Sequence, residues 1–183
     1  MENKLIKKNT VVNTVLLLLV VLVSMPSETM ADDIYYGASV ASIELTKDVG
    51  SEPADSVSFT TLYARLGGKW TENISGELRL GLSSSEEKYN GVMLKMKRFG
   101  GAFIKAGIPV NETFYPYAIV GITRGKLGIS HHLPSVTKTD ASFGLGAEIQ
   151  AFESATVNLE YMSYMDEPVY DFTGFSLGLT FDL

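Results

Sequence analysis

The stretch Ile74-Ser-Gly-Glu-Leu-Arg-Leu-Gly-Leu-Ser83 decides how this chain folds. Its residues alternate strictly. One face carries isoleucine, glycine and three leucines, and the other carries two serines, glutamate, arginine and glycine. A period of two places successive side chains on opposite faces of a β-strand. The pattern therefore predicts a strand with one apolar face and one face of small and polar residues.

The same alternation recurs along the chain in segments that turn-forming residues separate. Seven further strands are predicted at 34–46, 57–68, 91–108, 115–129, 141–151, 156–164 and 174–183. Longer connections (47–56, 84–90, 130–140 and 165–173) alternate with short ones, and no run of 18 apolar residues follows residue 32. This pattern is typical of an all-β, eight-stranded, antiparallel up-and-down transmembrane β-barrel whose longer connections face outward.

The N-terminal residues predict export. Three lysines precede an unbroken apolar run at 15–23, and the small residues of Thr29-Met30-Ala31 follow it. The run is shorter than the roughly 20 residues that a membrane-spanning helix needs. The sequence therefore predicts a signal peptide over 1–31, cleaved after Ala31, and a single barrel domain over 32–183.

Composition excludes several classes of function. The chain contains no cysteine, so a disulfide scaffold and thiolate metal sites are excluded. The formal net charge of −6 disfavours a nucleic-acid partner.

Isolated charges lie among small residues on the second face of the predicted strands. Eight strands enclose an interior that side chains just fill, and a lone buried ion costs several kcal/mol. We therefore expect the inward charges to pair in a lumen network. A soluble sheet with a solvated polar face is the alternative interpretation. The candidate lumen residues are Glu77, Arg79, Lys105, Arg124, Lys126, Glu148 and Glu160.

Arg98 does not fit a single register of its strand, because the register that turns the neighbouring lysines inward sends Arg98 toward lipid. Either Arg98 lies above the bilayer on a protruding strand, which we favour, or a bulge at Gly100-Gly101 resets the alternation. Aromatic residues near strand ends are predicted to form girdles at the two membrane interfaces. They are Tyr35, Tyr36, Tyr63, Trp70, Tyr115, Tyr117 and Tyr161.

The stretches Phe99-Gly-Gly-Ala-Phe-Ile-Lys-Ala-Gly-Ile-Pro109 and Tyr115-Pro-Tyr-Ala-Ile-Val-Gly-Ile-Thr-Arg124 resemble the central hairpin of the small OmpA-like, porin-family outer-membrane barrels. Three C-terminal stretches are similar to the last three strands of that family: Phe143–Ala147, Asn158–Met162 and Gly174–Gly178. The resemblance implies a bacterial outer-membrane location and a barrel domain, without one shared activity. Members usually end in an aromatic residue that the assembly machinery recognises, and here the alternating residues Leu177, Leu179, Phe181 and Leu183 stand in that place.

The search for catalytic chemistry finds only one candidate. His131 and His132 follow Ser130 in a predicted outer connection, and the acids Asp140, Asp166 and Glu167 are available as third members of a triad. No motif of a barrel enzyme accompanies them, and adjacent histidines rarely ligate one metal ion without further ligands. We expect no enzymatic activity, no catalytic residues, no metal and no cofactor.

The sequence thus predicts an integral outer-membrane protein with a closed, salt-bridged lumen and short acidic outer loops, in a structural or surface-interaction role. Its expected partners are outer-membrane lipid and lipopolysaccharide, and, in transit, periplasmic chaperones and the assembly machinery. We expect a monomer. The alternatives are a small solute channel and a lipid A-modifying enzyme.

Overall fold

A computed structural model describes residues 34–47, 55–83, 86–89, 92–129, 136–152, 154–166 and 170–183. The signal peptide and the cleavage point after Ala31 lie outside the described residues and stay predictions. Among the described residues, no helix has the length and apolar character needed to span a membrane.

The described chain is built from β-strands. They are β1 (Ile34–Lys47), β2 (Asp55–Lys69), β3 (Ile74–Ser83), β4 (Glu86–Tyr89), β5 (Val92–Gly107), β6 (Phe114–Ile129), β7 (Val136–Phe152), β8 (Ala155–Asp166) and β9 (Tyr170–Asp182).

The strands close into an antiparallel barrel. Each strand pairs with its neighbours in the order β3-β2-β1-β9-β8-β7-β6-β5, and pairing between β3 and β5 closes the ring. β4 also pairs with β5, beyond the end of β3, so β3 and β4 together occupy one position in the ring. The barrel is therefore eight-stranded, as the sequence predicts.

The strand bounds depart from the prediction by more than two residues in three places. β7 begins at Val136, five residues before the predicted start, because its polar first residues pair with β6. β4 lies within 84–90, which the sequence analysis assigns to a connection, and it forms a hairpin with the first residues of β5. β9 begins at Tyr170, four residues before the predicted start, where it pairs with the end of β1. The differences at β4 and β7 arise where cross-strand hydrogen bonds extend pairing into residues that lack an apolar face.

One end of the barrel, called here the short-turn end, holds the tight turns and both ends of the described chain. The Thr71 side chain accepts a hydrogen bond from the backbone N–H of Ile74 (3.0 Å), and the Asn111 side chain accepts one from that of Phe114 (2.8 Å). The backbone N–H of Leu183 donates to the carbonyl of Ile34 (2.8 Å), which fixes the last residue beside the first strand. The opposite end, where the strands lead into the longer connections, is called the long-connection end.

The outward face of the barrel is an apolar belt. On β6 this face runs from Phe114 to Ile122, about eight rises of roughly 3.3 Å, or about 26 Å along the strand. A tilt of about 40° leaves roughly 20 Å along the barrel axis, close to the apolar band of transmembrane barrels. Large exposed apolar residues of the belt include Tyr36, Val40, Leu62, Leu66, Leu78, Leu80, Leu82, Val120, Phe143, Leu145, Phe175, Leu177 and Leu179.

Glycines on the inward face make room for large neighbours. A Cβ atom on Gly81 would lie 2.2 Å from the Phe99 ring, and one on Gly146 would lie 2.5 Å from the Tyr117 ring. Each aromatic ring therefore covers the backbone of a neighbouring strand. This arrangement lets bulky side chains fill the narrow interior that eight strands enclose.

Candidate functional site

The interior of the barrel near its middle and short-turn end is a cluster of buried charges. Six ionisable residues from five strands face this space, and they are Arg65 on β2, Glu77 and Arg79 on β3, Lys105 on β5, Glu148 on β7 and Glu160 on β8. We call them the lumen network. Because side chains alternate along a strand, each of these residues lies between two neighbours that point outward.

A double hydrogen bond between Arg79 and Glu160 crosses the interior. Both guanidinium Nη atoms of Arg79 donate to the two carboxylate oxygens of Glu160, each at 2.7 Å. In the closed ring, β3 and β8 are four strands apart in either direction, so the pair joins opposite walls of the barrel. The Nε atom of Arg79 also donates to Glu77 at 2.5 Å. A paired, planar geometry of this kind is the strongest form of ion pair.

Arg65 supplies a second guanidinium to the same cluster. It donates to the Asn158 side chain (3.0 Å), to the Tyr63 hydroxyl (3.0 Å) and to Glu160 (3.3 Å), and its Nε atom lies 3.7 Å from Glu77. Two arginines and two glutamates are thus fully buried together. Their opposite charges compensate for much of the solvation that burial removes.

Tyrosine hydroxyls satisfy the remaining carboxylate oxygens. Tyr117 donates to Glu160 at 2.6 Å, and Tyr35 donates to Glu77 at 3.0 Å. Tyr63 donates to the hydroxyl of Ser176 at 3.0 Å. The rings contribute as well, since the Arg79 guanidinium lies 4.7 Å from the centre of the Phe103 ring.

Lys105 and Glu148 form a second pair nearer the short-turn end. Their side chains are in direct contact, and the Lys105 ammonium lies 4.8 Å and 5.0 Å from the ring centres of Tyr35 and Tyr117. A cavity of about 520 Å³ opens at this end, and both residues of the pair line it. Arg79 and Glu160 do not line it, so the cavity ends at the second pair.

The other half of the interior is mainly apolar. Toward the long-connection end a few inward residues are polar, namely Thr61, Thr123, Asp140 and Ser142. The aliphatic and aromatic side chains there pack as one cluster: Ala41, Ile43, Leu45, Val57, Phe59, Phe99, Met162, Tyr164 and Phe172. The prediction assigned small and polar residues to the second face, so it missed this half. The alternate apolar residues Ala41, Ile43 and Leu45 already indicated an apolar inward face on β1.

Two of the seven candidate lumen residues were assigned to the wrong face. Arg124 and Lys126 lie on the outward face of β6, on the same side as Val120 and Ile122. The inward positions of this part of β6 hold Gly121, Thr123 and Gly125 instead. The prediction treated every charge among small residues as inward, whereas the alternation along β6 sends these two cations outward. The structure brings Glu77, Arg79, Lys105, Glu148 and Glu160 into the interior.

Sequence reasoning also missed Arg65, which is 2% exposed. The signal was present, because Leu62, Ala64 and Leu66 alternate with Tyr63 and Arg65. In the sheet Arg65 lies directly opposite Arg79, so the two share the inward face.

The aromatic girdles were predicted incorrectly in part. Tyr35, Tyr63 and Tyr117 are buried in the lumen, where their bulk fills space and the hydroxyls of Tyr35 and Tyr117 donate to carboxylates. Tyr36 and Tyr161 are exposed on the outward face, as a girdle requires.

The irregularity in β5 lies between Met96 and Arg98, which contradicts the alternative of a bulge at Gly100-Gly101. Both glycines are in register with β6. Arg98 is exposed on the outward face, beyond the apolar belt.

Several of the remaining candidate residues lie wholly or partly outside the described residues. His131, His132 and Glu167 lie outside the described residues, and so does the side chain of Asp166, so the expectations about catalysis stay predictions. Within the described part of the chain, no three His, Asp or Glu residues are grouped as metal ligands. Leu177, Leu179, Phe181 and Leu183 lie on the outward face of the last strand and at its end, and their role in assembly stays a prediction.

Comparison with known proteins agrees with this architecture. The sequence model of the outer membrane protein beta-barrel domain matches residues 14–182. The chain belongs to this family. It is therefore a bacterial outer-membrane protein, and the short-turn end is the periplasmic end, because barrels of this kind have short periplasmic turns.

Solved structures of other outer-membrane barrels have the same fold. Ail, the attachment invasion locus protein of Yersinia pestis, is 11% identical over 83% of this chain and 99% of its own, with a TM-score of 0.64. Neisserial surface protein A is 11% identical over 82% of this chain and 97% of its own (TM-score 0.63). The N-terminal barrel of Pseudomonas aeruginosa OprF is 13% identical over 79% and 97% (TM-score 0.50). No curated protein matches the chain in sequence.

Proposed function

We propose that this outer-membrane protein is a closed, non-conducting barrel without enzymatic activity, which anchors its outer loops for a role in envelope integrity or surface interaction. One observation carries the proposal: the Arg79–Glu160 pair joins opposite walls of the lumen. A solute would have to break this pair to pass.

The charges of the lumen support a sealed state. Three cations face three carboxylates in the lumen network, so the network itself carries no excess charge to attract a permeating ion. Beyond the network, packed apolar side chains fill most of the outer half of the lumen. A path across the barrel would therefore need both layers to move.

The proposed surface role is supported by the fold it shares with Ail, whose name describes attachment and whose structure was solved with a heparin analogue. At 11% identity the likeness concerns the fold alone. The ligand of this chain is therefore proposed only as a surface partner of its outer loops.

Planar-bilayer recording tests the closed lumen against the channel alternative. The protein is purified from outer membranes, and its folded state is checked by the shift in gel mobility on heating. We expect no steady conductance above that of the bare bilayer. Adding Phe59→Ala, which opens the apolar layer, to Arg79→Ala/Glu160→Ala, which opens the network, should produce intermittent conductance. Arg124→Ala/Lys126→Ala, which alters two outward cations, should not. Steady conductance of the unaltered protein would establish the channel.

Mass spectrometry of lipid A tests the absence of enzymatic activity. Cells with and without the protein should contain lipid A of the same acylation and the same phosphate content. A change that disappears in the variant His131→Ala/His132→Ala would establish a lipid A-modifying enzyme and contradict the proposal.

A further inference from the structure

Three outward cations form a patch just beyond the apolar belt, on the side of the long-connection end. On β6 the outward face reads Val120, Ile122, Arg124 and Lys126, so the two cations follow directly on the belt. Arg98 of β5 lies directly opposite Lys126 in the sheet. We call Arg98, Arg124 and Lys126 the basic patch.

The local sheet geometry concentrates positive charge instead of dispersing it. Directly opposed residues have Cβ atoms about 5 Å apart, and like charges in that arrangement repel. The register shift between Met96 and Arg98 precedes the pairing of Arg98 with Lys126, and bulges commonly re-aim side chains in this way. Gly100 lies directly opposite Arg124 and adds no charge or side chain of its own beside it.

No carboxylate neutralises the patch within the described part of the chain. None of its three residues takes part in an ion pair there. The neighbouring outward residues of β7 are Thr137 and Thr139, whose hydroxyls can donate hydrogen bonds without adding charge.

The opposite wall of the barrel carries exposed residues of the opposite charge. Beyond the belt, the exposed outward residues there include Glu44 on β1 and Asp171 on β9. In the ring, β6 is four strands from β1, and β5 is four strands from β9. Positive surface charge is therefore concentrated on the side of the barrel formed by β5 and β6.

We propose that the basic patch binds the phosphate groups of a lipid of the outer leaflet, of the lipid A class, whose acyl chains lie along the apolar belt. This binding role goes beyond the proposed function and does not depend on it.

Phosphates on a membrane lipid lie at the boundary between the hydrocarbon and the aqueous layer, which is the level of the patch. Arginine forms paired hydrogen bonds with phosphate oxygens, and basic residues near a membrane surface are attracted to anionic headgroups. The acyl chains distinguish such a lipid from a soluble anion, because only the lipid also contacts Ile122, Val120 and Phe143.

Binding of labelled lipid A tests this proposal. The protein purified from outer membranes in a zwitterionic detergent is titrated with fluorescently labelled bisphosphorylated lipid A in the presence of a chelator, and the anisotropy is measured. We expect the affinity of Arg98→Gln/Arg124→Gln/Lys126→Gln to fall roughly fivefold per removed charge, about 100-fold in all. Lipid A without phosphates should bind the unaltered protein as weakly as the phosphorylated lipid binds the variant.

The controls remove charge elsewhere on the surface. Lys69→Gln removes an exposed cation at the periplasmic end, and Glu44→Gln removes an acid on the opposite wall, and neither should weaken binding. Unchanged affinity in the triple variant, or equal binding of dephosphorylated lipid A, would overturn the proposal. Displacement of the lipid by millimolar inorganic phosphate would also overturn it in favour of a soluble-anion site. If the triple variant fails the heat-shift test for folding, the single variant Arg124→Gln takes its place.

Discussion

The periplasmic half of the lumen is filled by charged and hydroxyl side chains, whereas the outer half is filled mainly by aliphatic and aromatic ones. Arg79 and Phe59 represent the two halves, and both are fully buried. Each fills volume that eight strands leave open. The requirements differ: a buried aromatic ring needs contact with its neighbours, but a buried guanidinium also needs nearly all of its hydrogen bonds and an opposite charge.

Because of this difference, we expect the two halves of the lumen to tolerate side-chain substitutions differently. The apolar half depends on shape, and a smaller side chain leaves a cavity whose cost depends on how far its neighbours relax. The polar half depends on complete pairing, because one missing partner leaves another charge buried without compensation. Removing one partner should therefore cost more in the polar half, and removing both should cost less than the sum.

The largest expected effect follows from removing one charge of the network. Arg79→Met should lower the free energy of unfolding by about 3–5 kcal/mol, because it leaves Glu77 and Glu160 with only Arg65 nearby. Urea titration in phospholipid vesicles, followed by the fluorescence of the single tryptophan, Trp70, measures the loss. The double variant Arg79→Met/Glu160→Gln should be more stable than the sum of the single variants predicts. A loss below about 1 kcal/mol for Arg79→Met would show that the network does not stabilise the barrel.

A cavity in the apolar half should cost somewhat less. Phe59→Ala removes a fully buried ring and should lower the free energy of unfolding by about 3 kcal/mol, with Phe59→Leu well below that value. The same urea titration should give equal losses at low and high ionic strength. If Phe59→Ala lowers the free energy of unfolding more than Arg79→Met does, the apolar half is the more sensitive of the two, contrary to this expectation.

Crowding at a lumen glycine should have a moderate effect. A Cβ atom on Gly146 would lie 2.5 Å from the Tyr117 ring, so Gly146→Ala must displace this ring from its hydrogen bond with Glu160. We expect a cost of about 1–3 kcal/mol in the urea titration. The matched control is Gly68→Ala, since a Cβ atom there meets no other atom within 4 Å. Equal stability of the two variants would show that the Tyr117 ring does not require a glycine at position 146.

The smallest effect is expected outside the lumen. Lys69 and Asp182 form an ion pair of 3.3 Å at the periplasmic end, where both side chains are about half exposed. Water and salt screen such a pair, so Lys69→Gln should change the free energy of unfolding by less than about 1 kcal/mol. The comparison with Arg79→Met in the same titration isolates the effect of burial. A loss similar to that of Arg79→Met would mean that charge removal itself, wherever it occurs, destabilises the barrel.

Much of the fold could be predicted because the alternation is a local property. The stretch 74–83 becomes β3 with the predicted bounds, with Leu78, Leu80 and Leu82 on the outward face and Glu77 and Arg79 inside. Apolar alternation also locates the last strand. It is weaker where polar residues begin β7, and there only pairing with β6 shows that the strand extends.

The candidate site was only partly predictable, because a charge on a strand does not reveal which wall it meets. Arg124 and Lys126 resemble lumen residues in composition, yet the alternation along β6 sends them outward. Tyr117 looks like an interface aromatic, yet it donates its hydroxyl proton to Glu160 across the lumen. The two errors have different causes. The alternation along β6 already indicated that Arg124 and Lys126 point outward, whereas the sequence does not show which neighbours Tyr117 meets across the barrel.

The sequence by itself determined the class of fold, the outward apolar face and the presence of inward charges, since these follow from a period of two and from turn residues at regular spacing. Only the tertiary structure decided which charges meet. Arg79 and Glu160 are far apart in the chain and lie on strands that never pair, and the closure of eight strands brings them face to face. The division of the lumen into a polar and an apolar half also depends on closure, because the stagger between strands sets the level of each side chain along the barrel axis.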